Sequence, residues 1–259
     1  SIKVSKLIEN INNCKNGKIF IYTPYIEGKY AGTNFLEIIL EYNGYCRKFV
    51  DKNNIILKNS FNKKLTPQSP DFKGYYCVAK RDEKLFPLYI NNFNLDNNTF
   101  GDQIRIIIGT SNMFEGVSLN NIRQIHIMEP WYNISRNEQI IGRGVRQCSH
   151  IKLPFEKRNL TVFNYVAICE EEDNTKYDFD DNDNELTIVY QKNNPKDIDI
   201  RKLQIATEKN INIEKLEKLI KKNAVDCYLN KNVNEILIKN IKKSKDDEKN
   251  NIIKVIDYN

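Results

Sequence analysis

The chain has 259 residues, a net charge of +6 and a pI near 8.8. A hydrophobic fraction of 40% with a mean hydropathy of −0.60 fits a globular protein with ample core and a polar surface, large enough for one big domain or two small ones. No apolar run approaches the roughly eighteen residues of a membrane span and no signal peptide opens the chain, so no membrane partner is expected. Six scattered cysteines without a C-x-x-C pair, and two histidines, argue against a zinc site or a disulfide framework and for a reducing intracellular compartment. Cys148 and His150 are close in sequence but lack further ligands, so no metal site is assigned. The positive balance permits nucleic-acid binding without establishing it.

Val4, Leu7, Ile8 and Ile11 fall at helical spacing, and Asn16-Gly17 ends that helix. Lys18 to Thr23 reads as a buried strand. Phe35, Ile38, Ile39 and Tyr42 form a second helical stripe stopped by Gly44, with a strand at 45–50 behind it. The polar stretch 51–73, with Pro67 and Pro70, reads as a loop or insertion. Strands are expected at 75–79, 104–108, 124–128 and 161–167, and helices at about 85–93 and 135–146. Residues 170–185 hold nine Asp or Glu and one Lys and read as a solvated acidic loop. Ile213, Leu216, Leu219, Ile220 and Ala224 then have helical spacing beside a basic face, and 196–230 reads as two or three helices. Strands that are apolar without clean alternation, separated by helices, point to a parallel α/β sheet covered on both faces. Such sheets place ligands at the carboxyl ends of their strands.

Three segments carry the chemistry. Residues 139–146 read Gln-Ile-Ile-Gly-Arg-Gly-Val-Arg. Arg143 and Arg146 are always charged, and their planar donor forks fit phosphate oxygens; in a helix they would share one face. A solvated helix face with two surface arginines is the bland alternative. Residues 104–119 run from a buried strand through Gly109-Thr110-Ser111 to a turn at Gly116, where Thr110 and nearby amides could approach a phosphate. An ordinary strand-to-helix turn would look similar. Residues 124–133 form a strand that leads into the aromatic turn Glu129-Pro130-Trp131-Tyr132-Asn133. Trp131 reads as core in preference to a stacking platform.

In order and spacing these segments resemble motif V, the adjoining strand and motif VI of the second RecA-like domain of superfamily 2 helicases. The run EPWYN, QIIGRGVRQCSH and EKRNLTVF looks like the large-DNA-virus helicases related to the poxvirus early transcription factor small subunit, with nucleoside triphosphate phosphohydrolase I more distant. The likeness spans about residues 1–230. It implies a RecA-like parallel sheet sandwiched by helices over 1–169, an acidic loop or insertion at 170–195 and a basic helical extension at 196–259.

The resemblance makes Arg143 and Arg146 arginine fingers on ATP, with Gln139 near the same phosphate or the attacking water. It places Gly116, Ser118 and Gly142 near the nucleotide, although Ser118 stands where many relatives carry an Asp. Glu115 would pair with a motif VI arginine or face solvent. Thr110, Ser111 and, at the end of the motif IV strand, Thr23 would meet nucleic acid. The sequence contains neither G-x-x-x-x-G-K-[ST] nor an acidic D-E-x-H or D-E-x-D box, and Asp82-Glu83-Lys84 lacks the context of one. ATP with Mg2+ would therefore be held mainly by an N-terminal RecA-like domain of the same protein, and this part alone should be inactive. The expected partners are DNA or RNA, that N-terminal domain and a viral RNA polymerase, in the host cytoplasm or virion. The alternatives are a non-catalytic nucleic-acid-binding or scaffold subunit with the same fold, and a nucleotide-dependent transcription factor.

Overall fold

The computed structural model describes residues 2–26, 32–51, 54–79, 86–111, 116–168 and 197–223. The acidic stretch 170–195, Glu115, Asp82-Glu83-Lys84 and the tail from Ala224 lie outside the described residues.

Helix α1 (Ile2–Asn13) buries Leu7 and Ile11, as its spacing requires, and feeds β1 (Lys18–Tyr22), whose five residues are all buried. Helix α2 (Gly32–Tyr42) leads to β2 (Tyr45–Asp51), which turns back into β3 (Asn54–Lys58). Next come β4 (Gly74–Ala79), α3 (Phe86–Asn94), β5 (Ile106–Gly109), β6 (Ile122–Ile127), α4 (Ile134–Ile141), β7 (Thr161–Asn164) and α5 (Ile198–Asn223).

The strands form one sheet in the order β3-β2-β4-β5-β1-β6-β7. Its pairings are parallel except for the antiparallel β2–β3 edge. Six parallel strands with helices between them make the expected RecA-like α/β fold. Alternation divides the core between the two faces. Ile19, Ile21, Tyr76, Val78, Ile106 and Ile108 pack with Leu7 and Ile11 of α1 and Leu36 and Leu40 of α2. Phe20, Cys77, Ile107, Ile125 and Ile127 pack with Tyr89 and Phe93 of α3 and Ile140 of α4.

Four sequence expectations need correction. The stretch 51–73 contains β3, which lengthens the sheet by one antiparallel strand, and its remainder is tied down by Asn59. The Asn59 amide nitrogen donates to the carbonyls of Glu41 and Tyr45 (2.8 Å each), and its oxygen accepts from the backbone of Phe61 and Asn62 (2.9 and 2.7 Å).

The inward face of α2 is Thr33, Leu36, Leu40 and Glu41, while Ile38 and Tyr42 are exposed. Glu41 is tolerated inside because its carboxylate accepts from Tyr76 Oη (2.9 Å) and from the Ser60 amide (2.7 Å). Tyr42 meets Phe61 edge to face instead, at 5.8 Å between ring centroids.

Helix α4 stops at Ile141, so Arg143 and Arg146 do not share a helical face. The backbone tightens into i→i−3 bonds at Arg143 and Gly144 and then leaves the helix. Finally, 198–223 is one helix of 26 residues, uninterrupted by Gly or Pro.

The first turns of α5 are fastened to the rest. Lys3 of α1 pairs with Asp199 at 3.0 Å, and the same carboxylate oxygen accepts from the Ala167 amide at 3.0 Å. Lys202 is nearly buried, reaching Tyr25 Oη at 3.5 Å and lying 5.8 Å from the Tyr132 ring centroid. Farther along α5, Ile213, Leu216, Leu219 and Ile220 are exposed.

Candidate functional site

Beyond β5 the chain runs irregularly from Gly116 to Asn121 before entering β6. Gly116 has φ +69°, which favours glycine, and a Cβ there would meet nothing within 4 Å, so the requirement is conformational. Val117 and Leu119 point inward and are buried, leaving Ser118 between them half exposed. The segment 142–149, here the arginine turn, lies alongside. The Leu119 amide donates to the Arg143 carbonyl (2.9 Å) and the Asn121 amide to the Ser149 carbonyl (2.9 Å). Arg143 Nη1 reaches the Val117 carbonyl at 3.4 Å. Arg146 donates through Nη1 to Ser118 Oγ and through Nε to the Gly142 carbonyl (3.2 Å). Gly144 is the close approach: a Cβ would sit 3.3 Å from Ile125 Cδ1 of β6. The structure therefore brings Arg143, Arg146, Gly142 and Ser118 together, with Arg146 exposed and Arg143 half buried. Gln139 is exposed on α4, one turn before Arg143.

The other candidates sit at the carboxyl edge. Thr23 follows β1 and Thr110 follows β5, with the Thr23 amide donating to the Gly109 carbonyl (3.1 Å). Both threonine side chains are fully buried. Thr23 Oγ1 accepts from the Tyr25 amide (3.3 Å) and also bonds the Glu129 carboxylate, whereas Thr110 Oγ1 has no hydrogen-bond partner among the described residues. Ser111 is half exposed. Glu129, at the end of β6, is held above the usual carboxylate range by burial, against the opposing pull of the Thr23 hydroxyl and of Lys3 and Lys202. His150 is engaged on both ring nitrogens, with Nε2 2.6 Å from the Ile122 carbonyl and Nδ1 2.8 Å from Ser149 Oγ.

No protein-family model matches the chain. Curated relatives do. The "Putative ATP-dependent RNA helicase R563" of Acanthamoeba polyphaga mimivirus is 33% identical over 168 residues, covering 65% of this chain and 26% of that protein. The chain is similar to proteins of large viruses that are named as putative helicases. The "Putative helicase 087L" of Invertebrate iridescent virus 3 is 29% identical over 241 residues, covering 91% of this chain and 21% of that protein. The "Early transcription factor large subunit homolog" of African swine fever virus is 40% identical over 75 residues, 29% of this chain and 7% of that protein. The chain thus spans 26% or less of each of these relatives.

Several residues of the site are ones that motif reading passes over. Glu129 stands in the EPWYN run, and its signal was a carboxylate two residues beyond the end of the buried strand β6. Arg136 lies over the Trp131 ring, 4.0 Å from its centroid, close to the buried hydroxyl of Tyr22. Trp131 is accordingly half buried with one face covered by a cation, an arrangement between the core and platform readings. Asn94, at the end of α3, grips the 118–120 backbone; a lone polar residue closing an apolar helix gives no sequence signal of that.

Proposed function

We propose that this chain is the C-terminal motor domain of a viral ATP-dependent helicase or translocase, with the triphosphate bound between it and an N-terminal RecA-like domain of the same protein. The observation that carries the reading is the arginine turn. Two guanidiniums and the Ser118 hydroxyl are held on irregular backbone beside β6, on contacts that do not depend on a ligand. The donor set fits polyphosphate oxygens: it offers cationic forks, one of them exposed, in the 142–149 turn. Arg143 and Arg146 would stabilise charge developing on the transferred phosphoryl group, and Gln139 would orient the attacking water. Gly116 and Gly142 would keep the backbone open to the nucleotide, with Ser118 near its sugar. Magnesium would be held mainly by the N-terminal domain.

Nucleic acid would lie along the carboxyl edge. There Ser111 offers a reachable hydroxyl, while buried Thr23 and Thr110 shape the backbone that meets a phosphate. The names of the mimivirus and iridovirus relatives support the helicase assignment, and that of the swine fever virus relative supports a place beside a viral RNA polymerase. The host cytoplasm or the virion would be the site of action. In the full-length protein, Arg143→Ala is expected to lower ATP turnover by roughly 10³–10⁵, the range of arginine fingers, with nucleic-acid affinity retained. Near-parental turnover in that variant would remove the assignment.

A further inference from the structure

The backbone of 117–121 belongs to no helix and no strand, so its polar groups need other partners. They find them on two sides. The Val117 carbonyl, the Leu119 amide and the Asn121 amide go to the arginine turn, through Arg143 Nη1, the Arg143 carbonyl and the Ser149 carbonyl. The groups on the other side go to a single side chain. Asn94 Nδ2 donates to the Ser118 carbonyl at 2.7 Å, and Asn94 Oδ1 accepts from the Asn120 amide at 2.9 Å. Asn94 is thus bidentate, spanning the residue pair that brackets buried Leu119. It is the last residue of α3, and the preceding Phe93 is fully buried against the sheet. The gripping amide therefore rests on a rigid element.

We propose that Asn94 is a positioning residue for the proposed arginine finger Arg146, acting through Ser118. This rests on the function proposed above. The path is short and every step is a contact: α3 fixes Asn94, Asn94 fixes the Ser118 backbone, and Ser118 Oγ receives the Arg146 guanidinium. Arg146 itself is exposed, and without Ser118 its guanidinium would keep the Nε bond to the Gly142 carbonyl but lose the contact that fixes its outer end. An asparagine amide presents a donor nitrogen and an acceptor oxygen in one plane, and both atoms are used here. Alanine at 94 removes both, and aspartate keeps the acceptor but turns a carboxylate toward the Ser118 carbonyl.

The test is a set of epistasis measurements in the full-length protein, with unfolding midpoints recorded for every variant. Asn94→Ala is expected to lower kcat for ATP roughly ten- to hundredfold, the scale of a misplaced catalytic group, with little change in KM. In the Ser118→Ala or Arg146→Ala background the same change should cost almost nothing more. A full additional loss in the Arg146→Ala background would overturn the proposal, since Asn94 would then act elsewhere. So would near-parental kcat in Asn94→Ala. If the parent shows no ATP turnover, the functional reading fails, and hydrogen exchange decides the structural half of the proposal, that Asn94 holds the Ser118 segment. Faster exchange of the Leu119 amide in Asn94→Ala, and more strongly in Asn94→Asp, supports it, and unchanged exchange overturns it. If Asn94→Ala does not fold, Asn94→Asp carries all of these comparisons.

Discussion

Lys18 opens β1 with its side chain fully buried, Nζ donating to the Phe93 carbonyl at 2.7 Å and lying 4.3 Å from the Phe93 ring centroid. Burial, with some help from the nearby Lys152 charge, lowers its pKa to about 7. The unfolded chain therefore binds more protons at this residue between about pH 7 and 10.4, and stability should rise with pH across that window. Replacing the lysine removes both the cost and the slope. The Phe93 carbonyl keeps a donor, because Asn98 Nδ2 reaches it at 2.9 Å. Lys18→Met is expected to be more stable than the parent by about 1–3 kcal/mol at pH 7, with the difference shrinking by pH 9.5. Urea unfolding at both pH values checks this, and a variant weaker than the parent at pH 7 would refute the assignment. The same residue scale sets the character of the proposed site: Ser118 receives Arg146 with a neutral hydroxyl, where a carboxylate would bind the guanidinium as an ion pair.

At the scale of elements, the segment 59–73 shows how much one side chain can organise. Asn59 makes four hydrogen bonds to backbone groups of α2, β2 and the loop that follows β3. Its replacement by alanine is expected to cost about 2–4 kcal/mol in chemical denaturation, because buried carbonyls and amides lose their partner. A loss below about 0.5 kcal/mol would mean that these bonds form equally well with water. The core strands were legible in the sequence because β1, β4 and β5 are short, mostly apolar runs bounded by polar turns, and β6 carries Ile122, Ile125 and Ile127. The α2 face was not, since its inward Glu41 depends on Tyr76 and Ser60, partners far away in the chain. The arginine run was visible as chemistry, whereas its shape was not. Helical spacing suggested a shared face, but the turn follows the irregular 117–121 segment and the clearance that Gly144 needs against Ile125. Thr23 and Thr110 were found at the correct strand ends, while their burial depends on packing across the sheet.

Across the whole molecule, the sheet holds two polar regions on connected elements. The carboxyl edge carries Thr23, Thr110, Ser111 and Glu129, and the start of α5 is fastened beside it by Lys3–Asp199 and Lys202. The arginine turn lies beside the entry into β6, reached from that edge by α4 on one side and by the 117–121 segment on the other. In the proposed motor, nucleic acid at the edge and nucleotide at the turn would be coupled through these two connections. The most direct test is the ATP turnover of the full-length protein with no nucleic acid, then with single-stranded and duplex DNA and RNA. Turnover that rises with one class of nucleic acid, and loses that rise in Arg143→Ala, is the expected result. A folded protein that binds nucleic acid yet turns over no ATP under any of these conditions would contradict the motor and leave a nucleic-acid-binding scaffold in its place.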